Sequence, residues 1–271
     1  MAIDPTARVA EAARVGNGVE IGPYCVVGPN VELGDGVRLV AHVHITGVTA
    51  IGEGTVVYPF ASLGTPPQSV HYRGSATRLI VGPRCELRES VTMNTGTEDG
   101  GGVTRVGERC LFMVGCHIGH DCQVGNVATF ANNVVLGGHV YIGDNAFIGG
   151  LTAVHQHNRV GEGAMIGGMT RVRADVIPFG FAYLENLVGL NVVGLRRRGL
   201  TRADLNRLRR AYRELFFGEA VFAKRLDAVS IEFAGDPLVE KIVGFVRAGG
   251  ARRLMQPVAE NSSDANGEDA A

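Results

Sequence analysis

Tryptophan is absent from this sequence, and aromatic residues make up only 6% of its 271 positions. A core built with so few large rings must rely on smaller aliphatic side chains. Charge of one sign is also missing: 26 Lys and Arg face 27 Asp and Glu, leaving a formal net charge of −1. That balance excludes the broad basic footprint needed to hold nucleic acid or an anionic membrane surface. No run approaches the ~20 apolar residues of a membrane-spanning helix. The amino terminus, MAIDPTARVAE, has no basic segment followed by an apolar stretch and does not read as a secretory signal. Five cysteines are an odd number for a disulfide framework, so a reducing cytoplasm is the simplest compartment.

What the chain does have is 39 glycines among many Val and Ile residues, a composition suited to short strands joined by tight turns. A period of six runs through it. Steps of six from Ile3 give Val9, Val15, Ile21, Val27, Leu33, Leu39, Ile45, Ile51, Val57 and Leu63. The next steps meet Ser69 and Ser75 inside GTPPQSVHYRGSATR, and the phase resumes at Val81, Leu87 and Met93. After NTGTEDGGGVTR it restarts one residue out of phase and runs from Val106 through Ile118, Val124 and Leu136 to Val172 without a polar substitution. Such a hexad period predicts a parallel β-helix over residues 1–178, three hexads to a triangular coil and about nine coils in all. Residues 18 apart then stack on adjacent coils, about 4.8 Å apart. The interruptions at 64–80 and 94–105 read as external loops, which on a regular solenoid tend to carry function.

After Pro178 the period fails, and a helical region is expected over 179–255. Thr201 with Asp204 three residues on reads as a capping box. Leu205, Leu208, Tyr212, Leu215 and Phe216 mark one helical face. Asp236 before Pro237 reads as a second helix start. The last stretch, 256–271, is polar and acidic and is expected to be a disordered tail.

The stretch CHIGHDCQVGN, residues 116–126, raises the question of a zinc site. With the recurring aliphatic position called i, Cys25, Cys85, Cys110, Cys116 and Cys122 all fall at i−2. Elsewhere that slot holds Ala128, Val134, Val140, Ala146, Thr152 and Ala164, so it is a packing position for small side chains. Cysteines six apart lie on successive faces of a prism and point away from any common centre, whereas Zn²⁺ needs four converging ligands. No metal is expected.

The histidines do not fit that slot. His117 and His120 fall at i−1 and i+2, facing outward. By the 18-residue stacking, His120 lies beneath Gly138 and Gln156, while Asp121 lies beneath His139 and His157. One edge of the prism therefore collects His117, His120, Asp121, His139, His155, Gln156 and His157. Neutral histidine accepts a proton near pH 7, and a carboxylate beside it fixes the tautomer and stabilises the imidazolium. His120 is the candidate base and Asp121 its partner, provided the turn brings these sequence neighbours together. Gly138 leaves the approach open, and its N–H is a candidate oxyanion donor. The set suits acyl transfer from a thioester to a hydroxyl or amine.

CHIGHDCQVGN, LGGH at 136–139, AVHQ at 153–156 and GLNVVGLRRRG at 189–199, set on the hexads, resemble the UDP-N-acetylglucosamine 3-O-acyltransferase family of lipid A biosynthesis. The resemblance runs from the first hexads to at least the Thr201 helix. It implies an all-β left-handed parallel β-helix with a C-terminal α-helical extension, and a cytoplasmic homotrimer with sites between subunits. It further implies transfer of a (3R)-3-hydroxyacyl group from acyl carrier protein to the sugar 3-hydroxyl, the carrier thioester being co-substrate and no other cofactor needed. Carried over by position, His120, Asp121 and Gly138 would be catalytic. Gln68, His71, His117, His139, His155 and Gln156 would line the substrate site, Asn191, Arg197 and Arg198 would hold the nucleotide, and Gly168 would act as acyl-chain ruler.

Three positions depart from the family pattern: His71 stands before Tyr72 where a lysine is common, Ser69 follows Gln68, and His157 replaces a phenylalanine. They leave open a UDP-sugar with a 3-amino acceptor. A related N-acyltransferase would carry an extra domain before the hexads, and here they begin at Ile3. A metalloenzyme of the γ-carbonic anhydrase kind would draw on His117, His120 and His139.

Overall fold

The aliphatic period becomes a three-faced prism. In the computed structural model, which describes residues 2–257, short strands alternate with turns and climb as a left-handed parallel β-helix. His117 pairs with Val135, Val135 with Ala153 and Ala153 with Arg171, so the 18-residue register holds. The first face opens with Ala2–Ile3, the second with Arg8–Val9 and the third with Arg14–Val15. Among the described residues these faces carry 11, 9 and 8 strands. All positions i from Val106 to Val172 are buried. Ile3 is exposed, and Val9 and Val15 only partly buried, because the first coil has nothing beneath it.

Each corner is turned by residue i+3. Asp121, Val127, Asn133, His139, Asn145, Leu151, His157 and Met169 all have φ between 57° and 65°. A non-glycine residue gives up about 1–2 kcal/mol in this left-handed region. The coils above and below hold the turn in place: His139 N–H donates to His120 C=O at 2.9 Å and His157 N–H to Gly138 C=O at 3.0 Å.

All five cysteines are buried and free. Four of them donate to a carbonyl of the coil above: Cys85 to Gly107 and Cys110 to Gly125 at 3.2 Å, Cys116 to Ala131 at 3.2 Å, and Cys122 to Gly137 at 3.1 Å. Thr152, in the same slot, sends its hydroxyl to Gly167 at 3.1 Å. Burial pushes the thiols of Cys116 and Cys122 up, to about 11 and about 12. An aromatic disulfide reagent should therefore leave the thiols untouched in the native protein and titrate all five after denaturation. Rapid native reaction of Cys116 or Cys122 would contradict the packing role.

Two boundaries differ from expectation. Strands Ser62–Thr65 and Arg78–Val81 confine the first excursion to 66–77, and Thr92–Asn94 and Val103–Val106 confine the second to 95–102. The ladder outlasts the hexad pattern here because Arg78 pairs with Val103 and Leu79 with Thr104. Both loops leave the corner between the second and third faces. The strands also continue past Pro178. Gly180–Tyr183 pairs in parallel with the Met165 row and then antiparallel with Asn186–Leu190, which covers the edge that the last coil would leave open.

Among the described residues four helices follow: α1 Val192–Arg197, α2 Arg202–Phe217, α3 Phe222–Glu232 and α4 Pro237–Gly249. The Thr201–Asp204 capping box is present at α2, which buries Leu205, Leu208, Tyr212, Leu215 and Phe216, and Asp236 caps α4. Sequence gave no sign of α3, whose Val221 start lacks a side-chain cap and whose buried contribution is Leu226 and Val229. Arg159 ties the helices to the prism, donating to Asp175 at 2.7 Å and to the Phe245 carbonyl at 3.0 Å. No helix among the described residues is long and apolar enough to cross a membrane. Of the expected tail at 256–271, residues 258–271 lie outside the described part.

Candidate active site

The corner between the second and third faces is where the histidines meet. His120 follows the strand His117–Ile118 in the turn, and Asp121 turns the corner with φ 61°. In an extended strand adjacent side chains point to opposite faces. The left-handed turn cancels that divergence, and His120 Nδ1 lies 2.8 Å from Asp121 Oδ2. The carboxylate accepts from this nitrogen, so the proton sits on Nδ1 and the Nε2 lone pair is left free.

Asp121 is 1% exposed at its side chain. Its oxygens also accept from Thr97: from the N–H at 2.9 and 3.1 Å and from the hydroxyl at 2.6 Å. Its own N–H donates to Thr104 Oγ1 at 2.8 Å. Sequence reasoning missed Thr97 and Thr104. The available signal was the Thr- and Gly-rich interruption NTGTEDGGGVTR, whose fold back onto Asp121 could not be read from the hexads.

Gly138 lies one coil above His120, as the stacking predicted. A β-carbon there would stand 2.6 Å from His120 Nε2 and 2.9 Å from Nδ1, so the imidazole occupies the space a side chain would fill. Among the described residues the Gly138 N–H donates to nothing. His139 meets His120 edge-on at 5.0 Å between ring centroids and stacks on His157 at 4.4 Å with 8° between planes. Burial lowers the His139 pKa, opposed by the nearby Asp121 charge, and burial together with the His120 charge lowers that of His117. Both are therefore neutral at pH 7. His117 Nδ1 is engaged by Thr92 Oγ1 at 2.8 Å. His155 and Gln156 are exposed on the same corner beside a groove of about 450 Å³ with Arg171 and Arg173. Gln68 and His71 are exposed on the 66–77 loop, which joins the 95–102 loop where Ser75 N–H meets Glu98 at 3.3 Å.

Among the described residues, the groups with metal-ligand geometry are His120, Asp121 and His139, whose candidate ligand atoms lie within 4.8 Å of one another. They are not the His117, His120 and His139 set of the carbonic-anhydrase reading. The Asp121 oxygens and His120 Nδ1 are already engaged with one another and with Thr97.

The remaining expected residues lie elsewhere on the chain. Asn191, Arg197 and Arg198 line a pocket of about 640 Å³ on the first face with Thr129, Phe147 and Met165. Asn191 Oδ1 caps α1 by accepting from Gly194 N–H at 2.9 Å, while its amide donates to the Gly163 carbonyl at 3.0 Å. The Arg198 guanidinium lies against Gly163, and partial burial lowers its pKa, opposed by the Glu162 charge. Gly168 sits at the corner between the first and second faces, where an added β-carbon would meet little beyond the Gly150 carbonyl at 3.3 Å. A prism's first face lies opposite the corner between its second and third. One chain therefore keeps its arginines and its histidines on opposite sides.

Comparison with known proteins places the chain in a family. Residues 12–47 match the family described as bacterial transferase hexapeptide (six repeats), and residues 175–255 match Udp N-acetylglucosamine O-acyltransferase; Domain 2. The acyl-[acyl-carrier-protein]–UDP-N-acetylglucosamine O-acyltransferase of Azorhizobium caulinodans is 59% identical over 257 residues, covering 94% of this chain and 95% of its own. The chain belongs to the UDP-N-acetylglucosamine O-acyltransferase family. The enzyme of that name from Caulobacter vibrioides is 51% identical, covering 96% of this chain and 100% of its own. The crystal structure of the UDP-N-acetylglucosamine O-acyltransferase from Moraxella catarrhalis superposes with a TM-score of 0.92 at 35% identity, over 94% of this chain and 100% of that one. Membership carries the acyltransferase class and the β-helix to this chain.

Proposed function

We propose that this acyltransferase moves a (3R)-3-hydroxyacyl group from acyl carrier protein to the 3-hydroxyl of UDP-N-acetylglucosamine, the first step of lipid A biosynthesis, in the cytoplasm. The relatives' names supply the two substrates. The observation that carries the chemistry is the His120–Asp121 pair with Nε2 free beside Gly138. His120 Nε2 takes the proton of the sugar hydroxyl as its oxygen attacks the thioester carbon. The Gly138 N–H faces the oxyanion that forms, and Asp121 balances the imidazolium. Collapse breaks the C–S bond, and His120 returns the proton to the departing carrier thiolate.

The reading includes a homotrimer. It is supported by the separation of Arg197 and Arg198 from His120 across the prism, since a ligand touching both needs a second copy's first face against this corner. Arginine's rigid fork of donors suits the diphosphate, and Gly168 leaves room for a long acyl chain. The test is mass spectrometry of the product from UDP-N-acetylglucosamine with hydroxyacyl carrier proteins of graded length. The expected product gains one hydroxyacyl group, best with the longer chains. Product only with a 3-amino sugar would replace the acceptor, and no product with either would overturn the reading.

A further inference from the structure

We propose that Thr97 is a positioning residue for the His120–Asp121 pair, and that the 95–102 loop exists on this corner to deliver it. The inference rests on the acyl-transfer reading above. Asp121 is almost without water, and a buried anion is tolerated only where donors replace the lost hydration. Thr97 provides two of the three donors on that carboxylate, one from its backbone and one from its hydroxyl, while His120 provides the third. Because Thr97 Oγ1 and His120 Nδ1 share Oδ2, the hydroxyl sets the rotation of the carboxylate and hence the direction in which it pulls the imidazole proton.

The loop is shaped for this contact. Gly100 packs so closely on the Asp121 carboxylate that any β-carbon would fall inside it, and the Gly100 N–H donates to Thr97 Oγ1 at 3.2 Å. That bond fixes the hydroxyl lone pair and leaves its proton for Asp121. The loop is pinned from below: Thr95 N–H donates to the Thr65 carbonyl at 3.0 Å, Thr77 Oγ1 to Thr95 Oγ1 at 3.0 Å, and Asn94 Nδ2 to Thr65 Oγ1 at 2.9 Å. Bonds from Thr65 and Thr77 thus hold Thr95, two residues before Thr97, against the coil below. Thr97 itself touches no reacting atom.

The test is Thr97→Val, which keeps the shape and deletes the hydroxyl, compared with Thr97→Ser. Outer partners that orient a functional histidine are worth ~10–100-fold in activity. Thr97→Val is expected to lose kcat in that range with KM for the sugar nucleotide unchanged, and Thr97→Ser to recover most of it. In an Asp121→Asn background the valine change should cost nothing further. Nitrogen-15 NMR of the His120 ring, recorded without substrates, should show the Nδ1–H tautomer in the parent and Thr97→Ser proteins and a mixture in Thr97→Val. Unchanged kcat and tautomer in Thr97→Val, or a serine variant as poor as the valine one, overturns the proposal. The NMR arm separates the two ideas: a parent protein that shows the tautomer dependence yet acylates neither sugar removes the reaction and keeps the positioning. Should the valine variant not fold, the serine variant and the Asp121→Asn cycle with Thr97→Ala decide the matter.

Discussion

Replacing His120 with alanine is expected to lower turnover about 10³-fold, inside the range that a positioned proton acceptor contributes. Folding and assembly should be untouched. The side chain faces outward from the corner while Ile118, two residues earlier, fills the core. What the substitution removes is the one imidazole whose Nδ1 is held by a carboxylate and whose Nε2 is unengaged. His117 and His139 are close by, but neither has a carboxylate within hydrogen-bond distance: His117 Nδ1 meets a threonine hydroxyl and His139 Nε2 is 3.8 Å from Asp121. Steady-state kinetics with the parent substrates, together with sedimentation of the variant, check the expectation. Turnover within threefold of the parent would remove His120 from the mechanism.

Gly138→Ala is expected to have the second largest effect, although it adds one methyl group. The φ of Gly138 is not in the left-handed region, so alanine suits the backbone. Its β-carbon would nonetheless sit 2.6 Å from His120 Nε2 and 2.9 Å from Nδ1, well inside van der Waals contact. The ring has to swing aside by about 1 Å, and a misplacement of that size costs on the order of 10²-fold in rate. The loss should fall on kcat, with little change in the unfolding transition. The decisive comparison is with His120→Ala/Gly138→Ala, where no ring remains to be displaced. There the glycine change should add nothing to the loss from His120→Ala alone. An equal further drop would show that the added methyl group acts elsewhere than on the His120 ring, since alanine keeps the backbone N–H.

Much of this architecture was legible because hexad burial is a one-dimensional code. An aliphatic residue at i and a small one at i−2 recur wherever the coil closes, so Ile118, Val124, Cys116 and Cys122 announced their places without any knowledge of what surrounds them. The 18-residue stacking followed from three hexads per coil, and it placed His120 under Gly138 and Asp121 under His139. Helix starts with their own side-chain caps, Thr201 and Asp236, were legible for the same local reason. Helix α3, which starts without a cap, was not, nor was the Gly180–Leu190 hairpin, whose pairing satisfies an edge created by distant strands.

The boundary between the two kinds of information falls inside the site. Periodicity in the chain was enough to establish a prism, its packing cysteines and one edge rich in histidine, since each of these depends on spacing alone. Whether His120 and Asp121 converge or diverge depended on the backbone at Asp121, and its φ of 61° turned two neighbours toward each other. The burial of that carboxylate, and its capture by Thr97, came from a loop 24 residues earlier folding over the same corner. Likewise, no spacing could tell that Arg197 and Arg198 lie across the prism from His120, because which face the chain returns to after Pro178 is set by strand pairing in three dimensions.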